Sequence, residues 1–474
     1  MMERRASQEI PVDLIDSGQF LTAEEIFSER RTDDPMEMVV RSEVAMYFDR
    51  LGDGASLLEQ VAPRITDLDV AARFSLARGR LDLWLNDYEQ AATHLQTAYH
   101  FYLFLNDSFG LSHALIGLAR LARLRGDDLD EAASRLASAQ EGVKGRVSKR
   151  TEFLRGLITF EQAAVALRRD ELEAANEAYS EAARLLKGTE RGRYYAHAVL
   201  GQADLKCALG EFQESLELYK EANTIFERYD LRIDQAATQL KLAEALVRLK
   251  KFERAQKLAE ESRELARHDP ATRSKAVALL ALLAINANEL NEAATLAASA
   301  VETADQGGSD EARARARISM GQVKLSEREF KEATDLFKEA ADFAHRATGA
   351  PDGQRLELEA VIYLAEAYHS VDTRAGRAEL TRATEILNGL EDAWLGDEFN
   401  RVSAKYEEQI VFTDDNRLVF DGNQLPRWQE AKRTLEGFLL RNALRQTNNS
   451  LTRAARKLGV SKVHVHNLKK KHNL

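Results

Sequence analysis

Apolar and polar positions alternate along most of the chain with the spacing of amphipathic helices. Apolar side chains recur three and four residues apart, in two stretches within each period of about 40 residues. Seven short motifs mark this period, each with a turn residue before a bulky anchor. The anchors are Tyr88, Leu129, Leu172, Phe212, Phe252, Leu290 and Phe330, spaced 38–43 residues apart. The pattern predicts one helix pair per repeat, with each pair burying its apolar face against its neighbours.

Small residues recur at fixed distances from these anchors. Nine residues before five of them stand Gly79, Ala163, Ala203, Ala243 and Gly321, and three residues after most of them stand Ala91, Ala132, Ala175, Ala255, Ala293 and Ala333. Small side chains allow the two helices of a pair to approach closely, while the bulky anchor packs between pairs. We therefore predict an all-α helical solenoid with repeats of about 40 residues.

On these motifs, residues 36–408 resemble the tetratricopeptide repeat in its longer form, as in kinesin light chains. The chain departs from that family in repeat length, in the frequent lack of a Trp near the start of the first helix, and in the missing Pro at repeat ends. Residues 1–35, which include DSGQFLTAEEIFSERR, are expected to cap one end, and RAGRAELTRATEIL around Leu380 is expected to form a weaker last copy.

The resemblance implies a peptide or protein ligand, because solenoids of this family usually bind one in the concave groove lined by the first helix of each pair. By helical phase, the candidates for that groove are Arg80, Trp84, Arg168, Asp204, Glu244, Arg248 and Gln322. The alternative interpretation is that these positions form a solvated face without a ligand. The paired Lys and Asn pattern of the chaperone-binding members is not evident, so that partner class is not supported.

The segment QIVFTDDNRLVFDGNQLP, residues 409–426, interrupts the helical pattern. Two short β-branched and aromatic runs flank an Asp- and Asn-rich turn, which predicts a hairpin-like linker. Asp414 and Asp415 are interpreted as turn residues rather than as metal ligands.

Residues 427–474 have the pattern of three short helices. Leu435, Phe438, Leu439 and Leu444 give the first helix an apolar stripe, and Leu451–Leu458 and Lys462–Lys471 form the second and third. Gly459 is expected in a left-handed turn, Val460 in the core, and Ser461 at the N-cap of the third helix. This arrangement predicts a helix-turn-helix.

The same segment resembles the Fis-type helix-turn-helix. The matching residues are Leu435, Glu436, Ala443, Leu444, Thr447, Asn449, Ala454, Ala455, Leu458, Gly459, Val460 and Ser461. One extra residue before the alanine pair, and a third helix that reads KVHVHNLKKK, depart from the family. The resemblance implies a third helix in the major groove of DNA. Candidates for base contacts are Lys462, His464, His466, Asn467 and Lys470, and Thr452, Arg453, Lys469, Lys470 and Lys471 are candidates for phosphate contacts, with Ser461 beside them.

The net charge of −11 is divided unevenly between these parts. Residues 427–474 contain twelve Lys and Arg against two Asp and Glu, whereas residues 1–426 contain 54 Lys and Arg against 75 Asp and Glu. A basic segment attracts the phosphate backbone and an acidic body is repelled by it. The charge division therefore favours a nucleic-acid contact through the C-terminal helices.

The motifs of several other classes of protein are absent from this sequence. The single cysteine, Cys207, leaves no intrachain disulfide or zinc finger, and no phosphate-binding loop, nucleophile elbow or HExxH motif occurs. We expect no enzymatic activity, no cofactor and no metal site. The N-terminus lacks the apolar stretch of a signal peptide, and no apolar run in the sequence is long enough for a membrane span, so a cytoplasmic, nucleoid-associated protein is expected.

The sequence therefore predicts a bacterial, sequence-specific DNA-binding transcriptional regulator. It would bind double-stranded DNA as a homodimer, while the solenoid senses or recruits a peptide or protein. The alternative is a scaffold or adaptor whose basic tail docks a protein or binds nucleic acid non-specifically. RNA binding has less support, because the tail lacks the aromatic residues on which single-strand readers stack bases.

Overall fold

The structure is a computed structural model of the chain. It describes residues 11–29, 32–126, 129–169, 171–188, 190–347, 353–390, 392–407, 411–412, 418–419, 428–447 and 449–472. The chain divides into two compact units, Met1–Val402 and Ser403–Leu474.

The described part of the first unit is helical throughout. Two short helices, α1 (Pro11–Asp16) and α2 (Phe20–Glu29), come first, and a 3-10 turn lies at Ala62–Arg64. The helix pairs that follow are α3 (Pro35–Tyr47) with α4 (Leu51–Val61), α5 (Leu68–Trp84) with α6 (Tyr88–Leu105), α7 (Ser108–Arg125) with α8 (Leu129–Gly142), α9 (Lys149–Arg168) with α10 (Leu172–Leu186), α11 (Gly192–Ala208) with α12 (Phe212–Arg228), α13 (Arg232–Arg248) with α14 (Phe252–Leu265), α15 (Pro270–Asn286) with α16 (Leu290–Gly307), α17 (Asp310–Ser326) with α18 (Phe330–Arg346), and α19 (Gly353–Tyr368) with α20 (Thr373–Leu387). Helix α21 (Ala393–Glu407) comes last. The predicted all-α solenoid of helix pairs is confirmed.

The repeat motif fixes where the second helix of a pair begins. Each of the seven anchors, from Tyr88 to Phe330, is the first residue of such a helix and is half-buried. In five copies the residue two positions earlier has a left-handed backbone, with φ between 58° and 79°: Asn86, Gly210, Lys250, Asn288 and Arg328. A left-handed residue ends the first helix and turns the chain back, so the turn has a backbone cause.

The small residues allow the close approach that the sequence predicted. A Cβ at Gly79 would lie 2.7 Å from Cγ of Leu95, and a Cβ at Gly321 would lie 2.6 Å from Cε1 of Phe337. Real Cβ atoms essentially never come this close to another atom. At these crossings the absence of a side chain is therefore required by the packing.

The first helices of successive pairs contact one another and form the inner layer of the solenoid, as α5, α7 and α9 do. Helices α1 and α2 pack onto this layer at helices that come much later in the sequence. The ring of Phe20 stacks on Tyr47 with centroids 4.0 Å apart and lies 6.0 Å from Phe153 of α9 and 5.7 Å from Tyr194 of α11. The carboxylate of Glu190 accepts hydrogen bonds from the backbone N–H groups of residues 21 and 22. The segment expected to cap one end thus reaches the fourth and fifth pairs.

None of the described helices has both the length and the apolar character needed to cross a bilayer.

After the end of α21, residues 403–407, the second unit contains two short strands and three helices in its described residues. Strands β1 (Val411–Phe412) and β2 (Leu418–Val419) pair antiparallel, with Val411 opposite Val419. The predicted turn between them, with Asp414 and Asp415, lies outside the described residues. Helices α22 (Trp428–Gln446), α23 (Leu451–Leu458) and α24 (Lys462–Lys471) follow. Their shared core consists of Leu440, Ala443, Leu444, Ala454, Ala455 and Val465.

The turn between α23 and α24 has the predicted backbone. Gly459 ends α23 in the left-handed conformation, with φ of 67°, and the hydroxyl of Ser461 caps α24 by accepting a hydrogen bond from the backbone N–H of His464. In the same way the hydroxyl of Ser450 caps α23. The bounds of both helices agree with those predicted.

Three side chains that were assigned to this core lie elsewhere. Leu435 and Leu439 are 42% and 45% exposed, and Val460 is 37% exposed. Leu444 of the predicted stripe is buried, together with Leu440, which the stripe did not include. The prediction was wrong for Leu435 and Leu439 because both faces of α22 carry leucines and the pattern alone did not distinguish them.

Candidate functional site

The seven residues assigned to the groove all lie on first helices of the solenoid, and all are half-buried. Arg80 and Trp84 lie on α5, Arg168 on α9, Asp204 on α11, Glu244 and Arg248 on α13, and Gln322 on α17. Part of each side chain is accessible, so the groove and the solvated face both stay predictions for these positions. The structure brings Arg80 and Trp84 together in the wall of one cavity, which the other five do not line.

Ion pairs between first helices occupy several of these positions. The carboxylate of Asp204 lies 2.9 Å from the ammonium of Lys241 and accepts a hydrogen bond from the Tyr219 hydroxyl. Arg315 lies 3.9 Å from Glu244 and 2.8 Å from Glu359. Each such pair joins two repeats, so part of the inner charge serves to hold the solenoid together.

Arg248 is covered by a more distant part of the chain. Its guanidinium lies 4.9 Å from the ring centre of Trp394 in α21 and 5.8 Å from that of Phe212. Burial alone would lower the pKa of Arg248, but the nearby acidic groups, Cys207 first and Asp392 second, hold it above the ordinary value. The residue therefore stays charged under an aromatic cover instead of facing an open groove.

A cavity of about 150 Å³ lies within the inner layer, among α1, α2, α3, α5, α7, α9 and α11. Its aromatic wall consists of Phe20, Tyr47, Trp84, Phe160 and Tyr194, and its polar wall of Glu43, Arg80, His113, Arg120, Glu161, Arg193 and His197. The helices α1 to α3 close one side of this cavity. A mixed wall of this kind is typical of a small-molecule site, in which an apolar surface surrounds a few polar groups.

Arg193 is the centre of the network behind this wall. It donates hydrogen bonds to the backbone carbonyls of Met46 and Tyr47 and pairs with Asp49 at 2.7 Å and Asp234 at 2.8 Å. Burial would lower the pKa of Arg193, but the two carboxylates, Asp234 first, hold it above the ordinary value. The network ties α3 to α11 and α13, which fixes the position of the N-terminal helices.

Two guanidinium groups lie close to the ring of Trp84. That of Arg193 is 4.6 Å from the ring centre and that of Arg120 is 5.7 Å from it. Both distances are within the range of cation–π attraction. The indole therefore forms a floor of the cavity whose position is set by two cations.

Most polar residues of the cavity were not among the predicted candidates. His113, Arg120 and Arg193 belong to first helices, and an inward phase could have been assigned to them in the same way as to Arg80. A further signal was available, because opposite charges about one repeat apart, such as Arg123 and Glu161, form pairs here at 3.0 Å. Glu43 of α3 carried the same signal, since it pairs with Arg80, 37 residues later, at 2.6 Å, whereas α1 and α2 precede the repeats and carried none.

In the second unit, α24 presents a polar face away from the core. Val465 is buried and Leu468 half-buried on the inner side, whereas Lys462, His466, Asn467 and Lys470 are exposed. His464 is exposed at one flank. Thr452 and Arg453 on α23 are exposed as well, and so is Ser461 at the N-cap of α24. The structure thus places nine of the ten proposed DNA-contacting residues on the exposed surface, and Lys469 is half-buried.

Two features of this face were not predicted. Val463 is 69% exposed and lies among the basic residues of α24, one turn from Asn467. The ammonium of Lys471 lies 2.9 Å from the carboxylate of Glu436 on α22. Lys471 and Lys470 therefore have different surroundings although they are adjacent in sequence. Within the described residues, His, Cys, Asp and Glu side chains form no group of three that could hold a metal ion.

Comparison with known proteins supports the repeat fold. Residues 194–268 match the family model of the tetratricopeptide repeat. The structure is similar to that of the Rap conjugation gene regulator of plasmid pLS20 in complex with the Phr* peptide, with 12% identity, a TM-score of 0.50, and coverage of 83% of this chain and 98% of that chain. The quorum sensor NprR from B. thuringiensis, in its apo form, matches with 13% identity, a TM-score of 0.49, and coverage of 74% and 97%. No curated protein matches the sequence.

Proposed function

We propose that the protein is a transcriptional regulator that binds specific sequences of double-stranded DNA through α24 and receives a peptide or protein signal through its solenoid. The observation that carries the proposal is the exposed polar face of α24, the last of three short helices that share one core. The left-handed Gly459 and the capping hydroxyl of Ser461 support this assignment of the turn. An exposed helix with its own apolar anchor is the element that such domains insert into the major groove.

The side chains on α24 suit the edges of base pairs. The carboxamide of Asn467 can form two hydrogen bonds with adenine, and the ammonium groups of Lys462 and Lys470 can donate to guanine. Val463 adds an apolar surface beside them, which suits the methyl group of thymine. A face with both polar and apolar contacts supports recognition of sequence beyond attraction to phosphate.

Phosphate contacts would set the position of α24 on the duplex. Arg453 on α23 and the lysines near the end of α24 are suited to this role, since contacts to the DNA backbone fix register and orientation. The net charge of residues 427–474 adds long-range attraction that falls with salt. The acidic first unit would be kept away from the DNA by the same forces.

Two exposed leucines on α22 support a dimer. Leu435 and Leu439 lie one helical turn apart on the side of α22 that faces away from the core. A two-fold axis through such a surface would bring the same residues of two copies together. The two α24 helices would then read half-sites about 34 Å apart. In a cell, such a dimer would be expected in the cytoplasm, on the nucleoid.

The solenoid is the part that would receive a signal. A solenoid of similar fold, the plasmid pLS20 regulator, was solved in complex with a peptide, which supports a peptide or protein partner for this chain. The half-buried inner charges supply specific contacts, because a partner can compete for ion pairs such as Arg315 with Glu244, which are 3.9 Å apart. Activation and repression are both compatible with such a mechanism.

The proposal is tested by selecting bound duplexes from a random DNA library with the full-length protein at near-physiological salt. We expect a recovered motif with two half-sites about ten base pairs apart and a preference over random duplexes of roughly 10³-fold or more. The variant Asn467→Ala should relax the preference at one base position, whereas Arg184→Ala, a matched loss of a polar side chain on the outer helix α10, should leave the motif unchanged. Salt-sensitive binding without a motif would instead favour a scaffold whose tail holds nucleic acid non-specifically.

A further inference from the structure

The cavity in the inner layer contains an imbalance of hydrogen-bonding groups. Three of its residues, His113, Arg120 and Arg193, each have a buried ring or guanidinium nitrogen with no hydrogen-bond partner in the described structure. The carboxylates of the wall are already engaged. Glu43 pairs with Arg73 and Arg80, each at 2.6 Å, and Glu161 pairs with Arg123 at 3.0 Å. Three residues of the cavity wall therefore hold buried donors that lack acceptors in the described structure.

The hydrogen bond to Arg80 fixes the proton of His113. The guanidinium nitrogen of Arg80 lies 3.0 Å from Nδ1 of His113, and a guanidinium can only donate, so Nδ1 accepts. Burial, and then the positive charge of Arg80, lower the pKa of His113 well below its ordinary value, which keeps the ring neutral. The single proton of the neutral ring is therefore on Nε2, the nitrogen that has no acceptor. His113 is only 4% exposed, so bulk water does not supply one.

Arg120 and Arg193 also have nitrogens that need an acceptor, and both side chains are positively charged. The Nε of Arg120 is 3.9 Å from Glu161, which is beyond hydrogen-bonding distance, and 40% of the Arg120 side chain is accessible. In Arg193 the two terminal nitrogens are bonded to Met46, Tyr47 and Asp49, whereas Nε has no partner in the described structure. A negatively charged acceptor would satisfy groups of this kind better than a neutral one, since charge-assisted hydrogen bonds are the stronger class.

The remainder of the wall limits the size and shape of the occupant. Rings of Phe20, Trp84 and Phe160 are among the five aromatic side chains around the space. A cavity of about 150 Å³, the volume found here, is known to accommodate one benzene ring when its wall is apolar. Aromatic walls favour stacked or edge-on contact with a planar ligand.

We infer that this cavity is a binding site for a small aromatic carboxylate, with the carboxylate at Arg120 and His113 and the ring against Trp84. The site goes beyond the proposed function, because binding of such a ligand does not require that the second unit bind DNA. The ligand would contact α3 on one side and α7 and α11 on the other, and would stabilise the packing of the N-terminal helices on the inner layer.

The test is isothermal titration calorimetry of the full-length protein, without DNA, with benzoate, phenylacetate and indole-3-carboxylate. Benzamide serves as the neutral partner of benzoate, because it keeps the ring and removes the charge. We expect at least one carboxylate to bind and to raise the melting temperature, and benzamide to bind about tenfold to a hundredfold more weakly than benzoate. The comparison of the two compounds uses the unmodified protein, so it holds even if a variant does not fold.

Arg120→Gln should weaken carboxylate binding by about tenfold or more and reduce the difference between benzoate and benzamide. Arg184→Gln, which removes an exposed charge on the outer helix α10, is the matched control and should bind like the wild type. The inference is overturned if no carboxylate binds up to about 10 mM, if amide and acid bind equally, or if the two variants weaken binding to the same extent.

Discussion

Replacing Gly321 by Ala tests whether the helices of a pair are held at a distance that only glycine permits. The new Cβ would lie 2.6 Å from Cε1 and 2.8 Å from Cζ of Phe337, while ordinary contact begins at 3.4 Å. Phe337 is fully buried on α18, so its ring cannot move out into solvent without disturbing the core around it. About 0.8 Å must therefore be gained by shifting α17 away from α18.

The magnitude follows from two opposing effects. Ala is favoured over Gly in a helix by up to about 1 kcal/mol. Forcing an extra methyl group into a well-packed core costs typically about 1–3 kcal/mol. The new methyl group would overlap the buried ring of Phe337, so we expect the cost of overpacking to exceed the gain in helix propensity. The free energy of unfolding should then fall by about 1–2 kcal/mol.

The assay is urea denaturation followed by far-UV circular dichroism, with amide hydrogen exchange of α17 and α18 as the local measurement, since repeat arrays open in parts. Gly396→Ala is the control, because a Cβ there has no atom within 4 Å, and it should be neutral or slightly stabilising. In a Phe337→Leu background the cost of Gly321→Ala should shrink, because the contacting ring is gone. If Gly321→Ala were as stable as Gly396→Ala, the packing argument would be refuted.

Three further predictions concern the cavity and the second unit. His113 is buried with a lowered pKa, so below about pH 6.5 the unfolded chain binds more protons than the folded chain. The free energy of unfolding should therefore fall as pH decreases, by up to about 1.4 kcal/mol per pH unit. His113→Gln should remove this part of the slope in pH-dependent denaturation, and an unchanged slope would contradict the assignment. Leu435→Glu combined with Leu439→Glu should convert the dimer to a monomer in sedimentation velocity, and a wild type that sediments as a monomer would exclude the proposed interface. Lys470→Ala should reduce the slope of log K for DNA binding against log salt concentration by about 0.9. Lys471→Ala should reduce it less, because the ammonium of Lys471 is already paired with Glu436 at 2.9 Å. Equal slopes for the two variants would show that the two lysines do not differ in their phosphate contacts.

The sequence was sufficient to predict where most second helices of the solenoid begin. The anchors carry this information because the chain must reverse before each of them, and the left-handed residues at positions such as Asn86 and Asn288 do so with a local backbone conformation. The same holds for the turn between α23 and α24, where Gly459 and Ser461 act through their own backbone and side chain. Features set by neighbours within a few residues are readable from the sequence.

The orientation of side chains was less predictable, even within correctly placed helices. On α22, Leu439 and Leu440 are adjacent and chemically identical, yet the first is 45% exposed and the second is fully buried. The choice is made by contact with α23 and α24, in particular with Ala454 and Val465 of the shared core. Helical periodicity gives a set of faces, and only the partner determines which face is buried.

The cavity depends on contacts that no periodic pattern contains. Phe20 meets Phe153 and Tyr194, and Asp49 meets Arg193, although these partners are more than 130 residues apart. The repeat explains why α5, α7, α9 and α11 lie side by side, but it does not explain why α1 and α2 lie against them. Because Arg193 donates to the backbone of α3 through the same guanidinium that lies against Trp84, the N-terminal helices and the floor of the cavity share one set of contacts. Occupancy of the cavity and attachment of the N-terminal helices must therefore influence each other, in both directions and to the same extent.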